Sequence, residues 1–156
     1  MERISYNDVP ENFLSALLKG QDYVDSSGLD KGLLELIRMR VSQINSCAYC
    51  LDMHFKEGIE AGESALRLIS VSAWREAPYY SPKEQAVLNF AEKLTYMHPD
   101  ESSEGLHDEL SKHFSKKEIA FLTLAIIQIN SWNRLVRSFG TVAGNYQVKK
   151  KAAVHN

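Results

Sequence analysis

The chain has 156 residues, 44% of them hydrophobic and 24% charged, with a formal net charge of -2. That composition fits one folded domain, expected over residues 1–148 with a frayed basic tail at 149–156, and it excludes a disordered chain. The near-balanced charge gives no general pull toward nucleic acid or anionic lipid, the N-terminus lacks the basic start and apolar run of a signal peptide, and no stretch approaches the roughly 20 apolar residues of a membrane span. We therefore expect a cytoplasmic protein that engages neither nucleic acid nor membrane.

Asp8 to Glu11 can open a helix carrying Phe13, Leu14, Leu17 and Leu18, with a turn expected at Gly20 and again at Ser26-Ser27-Gly28. From Asp30 to Asn45 the apolar residues Leu33, Leu34, Ile37, Val41 and Ile44 recur at spacings of three and four, which predicts a helix N-capped by Asp30. Asn45-Ser46 breaks the pattern, because both side chains compete for backbone amides and favour helix starts. A new helix is predicted from Cys47 to Glu60, ended by Gly62. A short helix follows within 63–75. Ser81-Pro82-Lys83-Glu84 has the order of a capping box with proline at the first helical position. Its helix should run to Met97. A short helix over Ser103–Phe114, a long one over Lys116–Ile129 capped by Ser115, and a last one from Ser131 complete an all-α chain.

Gln43-Ile44-Asn45-Ser46 recurs as Gln128-Ile129-Asn130-Ser131, and the apolar pattern preceding it recurs too. The shared content is a helix, a polar break and a second helix: two related helical-hairpin halves. The second half is degenerate, since Glu35, Cys47, Cys50 and His54 are replaced by Ala120, Trp132, Leu135 and Phe139. Residues common to both copies read as frame, and the four that differ read as candidates for chemistry.

Cys47 and Cys50 are the two cysteines of the chain. Three residues apart on a helix, their Cβ atoms would lie about 5–6 Å apart, close enough for a first helical turn to adjust into a reversible disulfide. The free amides and positive dipole end of a helix start favour a thiolate. His54 lies one turn beyond Cys50 on the same face and can exchange a proton with it. If the chain reverses at Asn45-Ser46, Glu35 folds back toward this face, where it can orient His54 or take its proton. Simpler readings stand beside these. Two cysteines can be small apolar core residues; Cys47, Cys50 and His54 can hold zinc; Glu35 can be exposed or paired with Arg38 or Arg40. Haem attachment is excluded, because Leu51, not histidine, follows Cys50.

With these residues in view, the chain resembles the alkylhydroperoxidase AhpD-like family, part of the carboxymuconolactone decarboxylase superfamily. Glu35, Cys47, Cys50 and His54 match the family motif at every spacing. Asn45-Ser46-Cys47-Ala48-Tyr49-Cys50-Leu51-Asp52-Met53-His54 is similar to its core segment, and Ile129 to Leu135 is similar to its second-half signature. The resemblance implies an AhpD-like helical fold and a thiol-dependent peroxidase of the peroxiredoxin type that needs no cofactor or metal. It implies Cys50 as the peroxidatic cysteine, Cys47 as the resolving one, and His54 and Glu35 as the proton relay. Its substrate would be a hydroperoxide, its partner an external dithiol reductant, and its assembly a homo-oligomer, trimer or hexamer. The best-studied members carry a second histidine between the cysteines; Tyr49 stands there, as a tyrosine does in some relatives, offering a hydrogen-bond donor in place of a base. A disulfide reductase with little peroxidase activity, a lactone decarboxylase and a non-enzymatic metal-binding or structural module are the competing readings. Trp74 and Tyr79-Tyr80 are expected to be packing residues, and Trp132-Asn133-Arg134 to serve structure.

Overall fold

A computed structural model describes residues 2–99 and 105–148. Among them are seven α-helices and no strand: α1 (Ser15–Asp25), α2 (Lys31–Ile44), α3 (Ala48–Glu60), α4 (Ala65–Ser70), α5 (Pro82–Tyr96), α6 (Leu106–Ser111) and α7 (Lys116–Phe139), with a 3-10 turn, Val71–Ala73, after α4. The all-α expectation holds. The expected start at Ser103 and the tail 149–156 lie outside the described residues.

α2 is the axis of the fold. It packs against α3, α5 and α7 and is buried on nearly every side. A helix buried all round is normally apolar all round, yet α2 carries Glu35, Arg38 and Arg40. Charges taken out of water are tolerated only when paired, and each of these is. Arg38 bridges Glu35 and Asp25. Arg40 reaches Glu92 on α5 at 2.6 Å, and Glu92 also accepts from the Trp74 indole at 2.9 Å. Around α2, one core joins Leu34, Ile37 and Val41 to Phe90 of α5 and Ile119, Leu122, Ile126 and Ile129 of α7. A second gathers Leu36 and Met39 with Leu68, Val71, Trp74, Tyr80 and Leu88, so Trp74 and Tyr80 are packing residues as expected.

The helix starts at Asp30, Ser81 and Ser115 are capped as their sequences predict, the last two by full capping boxes. α1 departs from expectation. It begins at Ser15, because Asn12 adopts a left-handed conformation (φ 63°) that breaks any earlier helix, and it runs straight through Gly20. Gly20 is there for close approach: a Cβ at this position would lie 2.8 Å from the Gln128 side chain of α7.

The break between α2 and α3 is made differently from the sequence reading. Ser46 takes a left-handed conformation (φ 51°), the Cys47 amide donates to the Ser42 carbonyl at 3.0 Å, and the Ser46 amide donates to the Gln43 carbonyl at 3.1 Å. This is the Schellman closure of a helix end. Neither Asn45 nor Ser46 caps α3; Cys47 occupies the N-cap position without a side-chain cap bond. The Asn45 side chain instead crosses to α7, donating to Asn130 and Asn133 at 2.9 Å each, and Asn133 in turn donates to Ser42 at 3.1 Å. Asn45 and Asn130 are the equivalent positions of the repeat, so the two copies meet at this pair.

The second copy does not break. α7 is continuous through Asn130-Ser131, where a last helix was expected to begin. Asn130 and Ser131 bond back to the carbonyls of Ile126 and Ile127 at 3.0 Å, which satisfies their side chains inside the helix. Val136 and Phe139 then continue its buried face. By length and mean hydropathy (1.3) α7 could cross a membrane, which corrects the reading that no stretch comes near a span. In this fold its apolar face lies against α1, α2 and α5.

Two substitutions test this frame by urea unfolding. Ser46→Gly removes the cost of a left-handed Cβ and should stabilise the chain by about 1 kcal/mol; a loss of stability would argue against the left-handed turn. Asn133→Ala strands buried partners on Asn45 and Ser42 and should destabilise by about 1–3 kcal/mol; no change would mean the Asn cluster does not tie α2 to α7.

Candidate thiol active site

The reversal at Ser46 folds α3 back along α2 and opens α3 with the two cysteines. Cys47 is the N-cap residue, and Cys50 sits within the first turn. The extended backbone at Cys47 (φ -96°, ψ 95°) lets its sulfur meet that of Cys50, and the two form a disulfide with Cα atoms 5.3 Å apart. The pair is buried with Val136, against which Tyr49 and Leu135 also pack. Leu135 is the counterpart of Cys50 in the degenerate copy, so the silent half packs directly on the reactive one.

The two sulfur-bearing residues are not equivalent. Cys47 has no exposed surface; Cys50 retains 3% and lines an open pocket of about 680 Å³. His54, one turn along α3, lines the same pocket. Its Nδ1 lies 2.8 Å from Glu35 Oε2. The other Glu35 oxygen, Oε1, accepts from Arg38 Nη1 at 2.6 Å. Glu35 is therefore both a histidine partner and an arginine partner, joining two readings that the sequence left as alternatives, while Arg40 is engaged elsewhere with Glu92. Burial pushes the Glu35 carboxyl upward, but the charge and hydrogen bond of His54, with those of Arg38, more than offset it and hold the group below the ordinary carboxylate range.

The pocket walls come from the whole chain. Tyr6 precedes α1; Leu14, Leu18, Gln21 and Asp25 come from α1 and its approach; Tyr49, Met53 and Glu57 from α3; Trp132 and Val136 from α7; and Tyr146 from the segment after α7. Tyr146 is placed by a strap across α3. Its hydroxyl donates to Glu57, its carbonyl accepts from Lys56 Nζ at 2.9 Å, and the Gly144 amide donates to Asp52 at 2.9 Å. The Tyr49 and Tyr146 rings meet edge-on with centroids 6.5 Å apart. Burial pushes the Tyr49 phenol upward, with Tyr6 and Asp52 adding to the shift, so at neutral pH it is a donor and not a base.

All five candidates from the sequence, Glu35, Cys47, Tyr49, Cys50 and His54, gather here. Arg38, Asp25, Trp132, Tyr6 and Tyr146 were missed as site residues. Arg38 was visible only as a possible partner of Glu35, and Trp132 only as the replacement of a thiol. The other three lie in stretches without a motif. Among the described residues no group of three His, Cys, Asp or Glu side chains is arranged to hold a metal ion.

Known proteins resemble this chain along most of its length. Residues 11–93 match the Carboxymuconolactone decarboxylase family. The chain is 33% identical over 144 residues to the uncharacterized protein YdfG of Bacillus subtilis, covering 92% of this chain and 98% of that protein. A crystal structure from Agrobacterium tumefaciens, of a protein of unknown function described as a candidate antioxidant defence protein AhpD, superposes with a TM-score of 0.87 at 37% identity, over 94% of this chain and 100% of that one. A peroxidase-related protein of Ralstonia eutropha with an alkylhydroperoxidase AhpD core shares the fold, at a TM-score of 0.74 and 23% identity over 84% of this chain and 70% of that one.

A carboxyl held below its unfolded pKa stabilises the fold above that unfolded value and loses the contribution as pH falls through the folded one. Wild type should therefore lose stability as pH drops from roughly 5 toward 3. Glu35→Gln should lose less over that interval in urea midpoints measured at each pH. An equal loss would show that Glu35 is not held ionised.

Proposed function

The chain belongs to the carboxymuconolactone decarboxylase family, in its AhpD-like branch, and from the site it carries we propose that it is a thiol-dependent peroxidase. The reading is carried by one observation: Cys50 lines an open pocket and is bonded to a fully enclosed cysteine, Cys47, while a His54–Glu35 pair lines the same pocket.

In the reduced enzyme, Glu35 accepts from Nδ1–H of His54, which leaves Nε2 to take the proton of the Cys50 thiol. The helix start adds its positive end to the thiolate's stabilisation. The thiolate attacks the distal oxygen of a hydroperoxide ROOH. The O–O bond breaks, sulfur is oxidised to the sulfenic acid, and the departing alkoxide takes the proton from His54 and leaves as ROH. The Cys47 thiol then displaces hydroxide from the Cys50 sulfenic acid, releasing water and forming the disulfide. An external dithiol returns both cysteines to thiols by exchange and becomes a disulfide itself. Tyr49 supplies a hydroxyl donor at the pocket wall in the place of a second base. The apolar part of the wall, Tyr6, Tyr49, Trp132, Tyr146 and aliphatic side chains, favours an organic hydroperoxide over hydrogen peroxide, because only the former has apolar surface to bury there.

Dithiol-dependent consumption of cumene hydroperoxide tests this, with thiols counted before and after oxidation. Wild type should turn over, Cys50→Ser should be inactive, and Cys47→Ser should stop at a Cys50 sulfenic acid. A wild type that ignores peroxides yet cycles two thiols with a disulfide and a dithiol would be a disulfide reductase, and the peroxidase reading would fall.

A further inference from the structure

We propose that Arg38 is a positioning residue of the thiol site: bridging Asp25 and Glu35, it keeps Glu35 an ionised acceptor with one oxygen reserved for His54, so that the proton leaving Cys50 rests on the imidazole and not on the carboxylate. The inference rests on the reading above in one respect, that Cys50 is activated by proton transfer to His54.

The geometry is a linear array. Asp25 Oδ1 accepts from Arg38 Nη2, Arg38 Nη1 donates to Glu35 Oε1 at 2.6 Å, and Glu35 Oε2 meets His54 Nδ1 at 2.8 Å. Arg38 and Glu35 lie one turn apart on α2 and are both buried, whereas the Asp25 side chain, at the end of α1, is 47% exposed and lines the pocket. The planar fork of an arginine fixes two carboxylates through separate nitrogens of set spacing, where a lysine offers one flexible point charge. By occupying Oε1 it leaves Glu35 a single oxygen facing α3. Without that cation, a carboxyl buried this deeply favours its neutral form. A neutral Glu35 would turn its own hydroxyl toward Nδ1, and that would cost His54 the tautomer that points a free nitrogen at the thiol.

Charge counting leads to the same place. Asp25, Arg38 and Glu35 sum to one negative charge, and the imidazolium formed on proton transfer brings the array to zero. The other titratable groups around the site are Tyr49 and Glu57 from α3 and Tyr6 and Tyr146 from the terminal segments; α7 contributes Trp132 and Val136, neither of which titrates. Glu57 is bonded to the Tyr146 hydroxyl, so Arg38 is the cation of this wall.

The test uses reduced full-length protein and needs no turnover. Cys50 alkylation by iodoacetamide is followed by mass spectrometry from pH 5 to 9 in wild type, Arg38→Gln, Arg38→Lys, Glu35→Gln and the double variant Arg38→Gln/Glu35→Gln. Arg38→Gln should alkylate Cys50 roughly tenfold more slowly at pH 7 and rise only at higher pH. Arg38→Lys should fall between it and wild type, and the double variant should be no slower than Glu35→Gln alone. Infrared spectra should show a protonated carboxyl band in Arg38→Gln at neutral pH that is absent from wild type and from the double variant. A wild-type rate profile and no carboxyl band in Arg38→Gln, alongside a shifted profile in Glu35→Gln, would reduce Arg38 to a structural ion pair while leaving the relay intact. An unchanged profile in Glu35→Gln would overturn the relay and this role together. Should Arg38→Gln not fold, the Arg38→Lys profile decides: displacement from wild type supports the role, and coincidence with wild type in both rate and spectrum overturns the need for the fork.

Discussion

The left-handed turn at Ser46 is the constraint on which the rest of the molecule depends. Left-handed Ser46 and extended Cys47 end α2 and reverse the chain, and α3 begins at the next residue. Because the reversal is that tight, α3 has to lie along α2, and Glu35, eleven residues before the turn, comes level with His54, eight residues after it. The same reversal places both cysteines in the opening turn of α3 and frees the Asn45 side chain to reach α7. A looser connection would preserve two helices and lose the site, since neither the carboxylate nor the sulfurs would be fixed in register.

Burying α2 so completely has a chemical result. Past the exposed Lys31 at its start, three charged side chains on a central helix must each find a partner, and the search for partners builds the site. Arg40 closes inward on Glu92, which Trp74 also holds, and serves the frame. Glu35 and Arg38 close on His54 and Asp25 and serve the pocket. The pairing that makes the helix tolerable and the pairing that orients the imidazole are the same bonds. Stability and reactivity are therefore coupled here more tightly than in a site assembled on surface loops.

Much of this was legible in the sequence, and the pattern of success is physical. Capping boxes at Ser81 and Ser115 are local, and they formed as written. The spacing of Glu35, Cys47, Cys50 and His54 encodes a hairpin face, and the hairpin brought them together. What failed depended on distant partners. Gly20 reads as a turn until Gln128 of α7 comes close enough to exclude a Cβ. Asn130-Ser131 reads as a break because its copy at Asn45-Ser46 is one, yet side chains bonded to their own helix keep α7 whole. The pocket walls were the least legible, since Tyr6, Asp25, Trp132 and Tyr146 share no motif and meet only after the chain has closed on itself.

That dispersal of the wall has a consequence for biosynthesis. The α2–α3 hairpin, with its two cysteines, is complete by residue 60, whereas Trp132 and Tyr146 belong to the last fifth of the chain. A nascent chain thus carries the dithiol long before it carries the enclosure, and in that interval the pair is open to any oxidant or metal in reach. The enclosure is a property of the finished molecule, completed when α7 and the strap dock, and a chain cut short of them carries the cysteine pair without these walls.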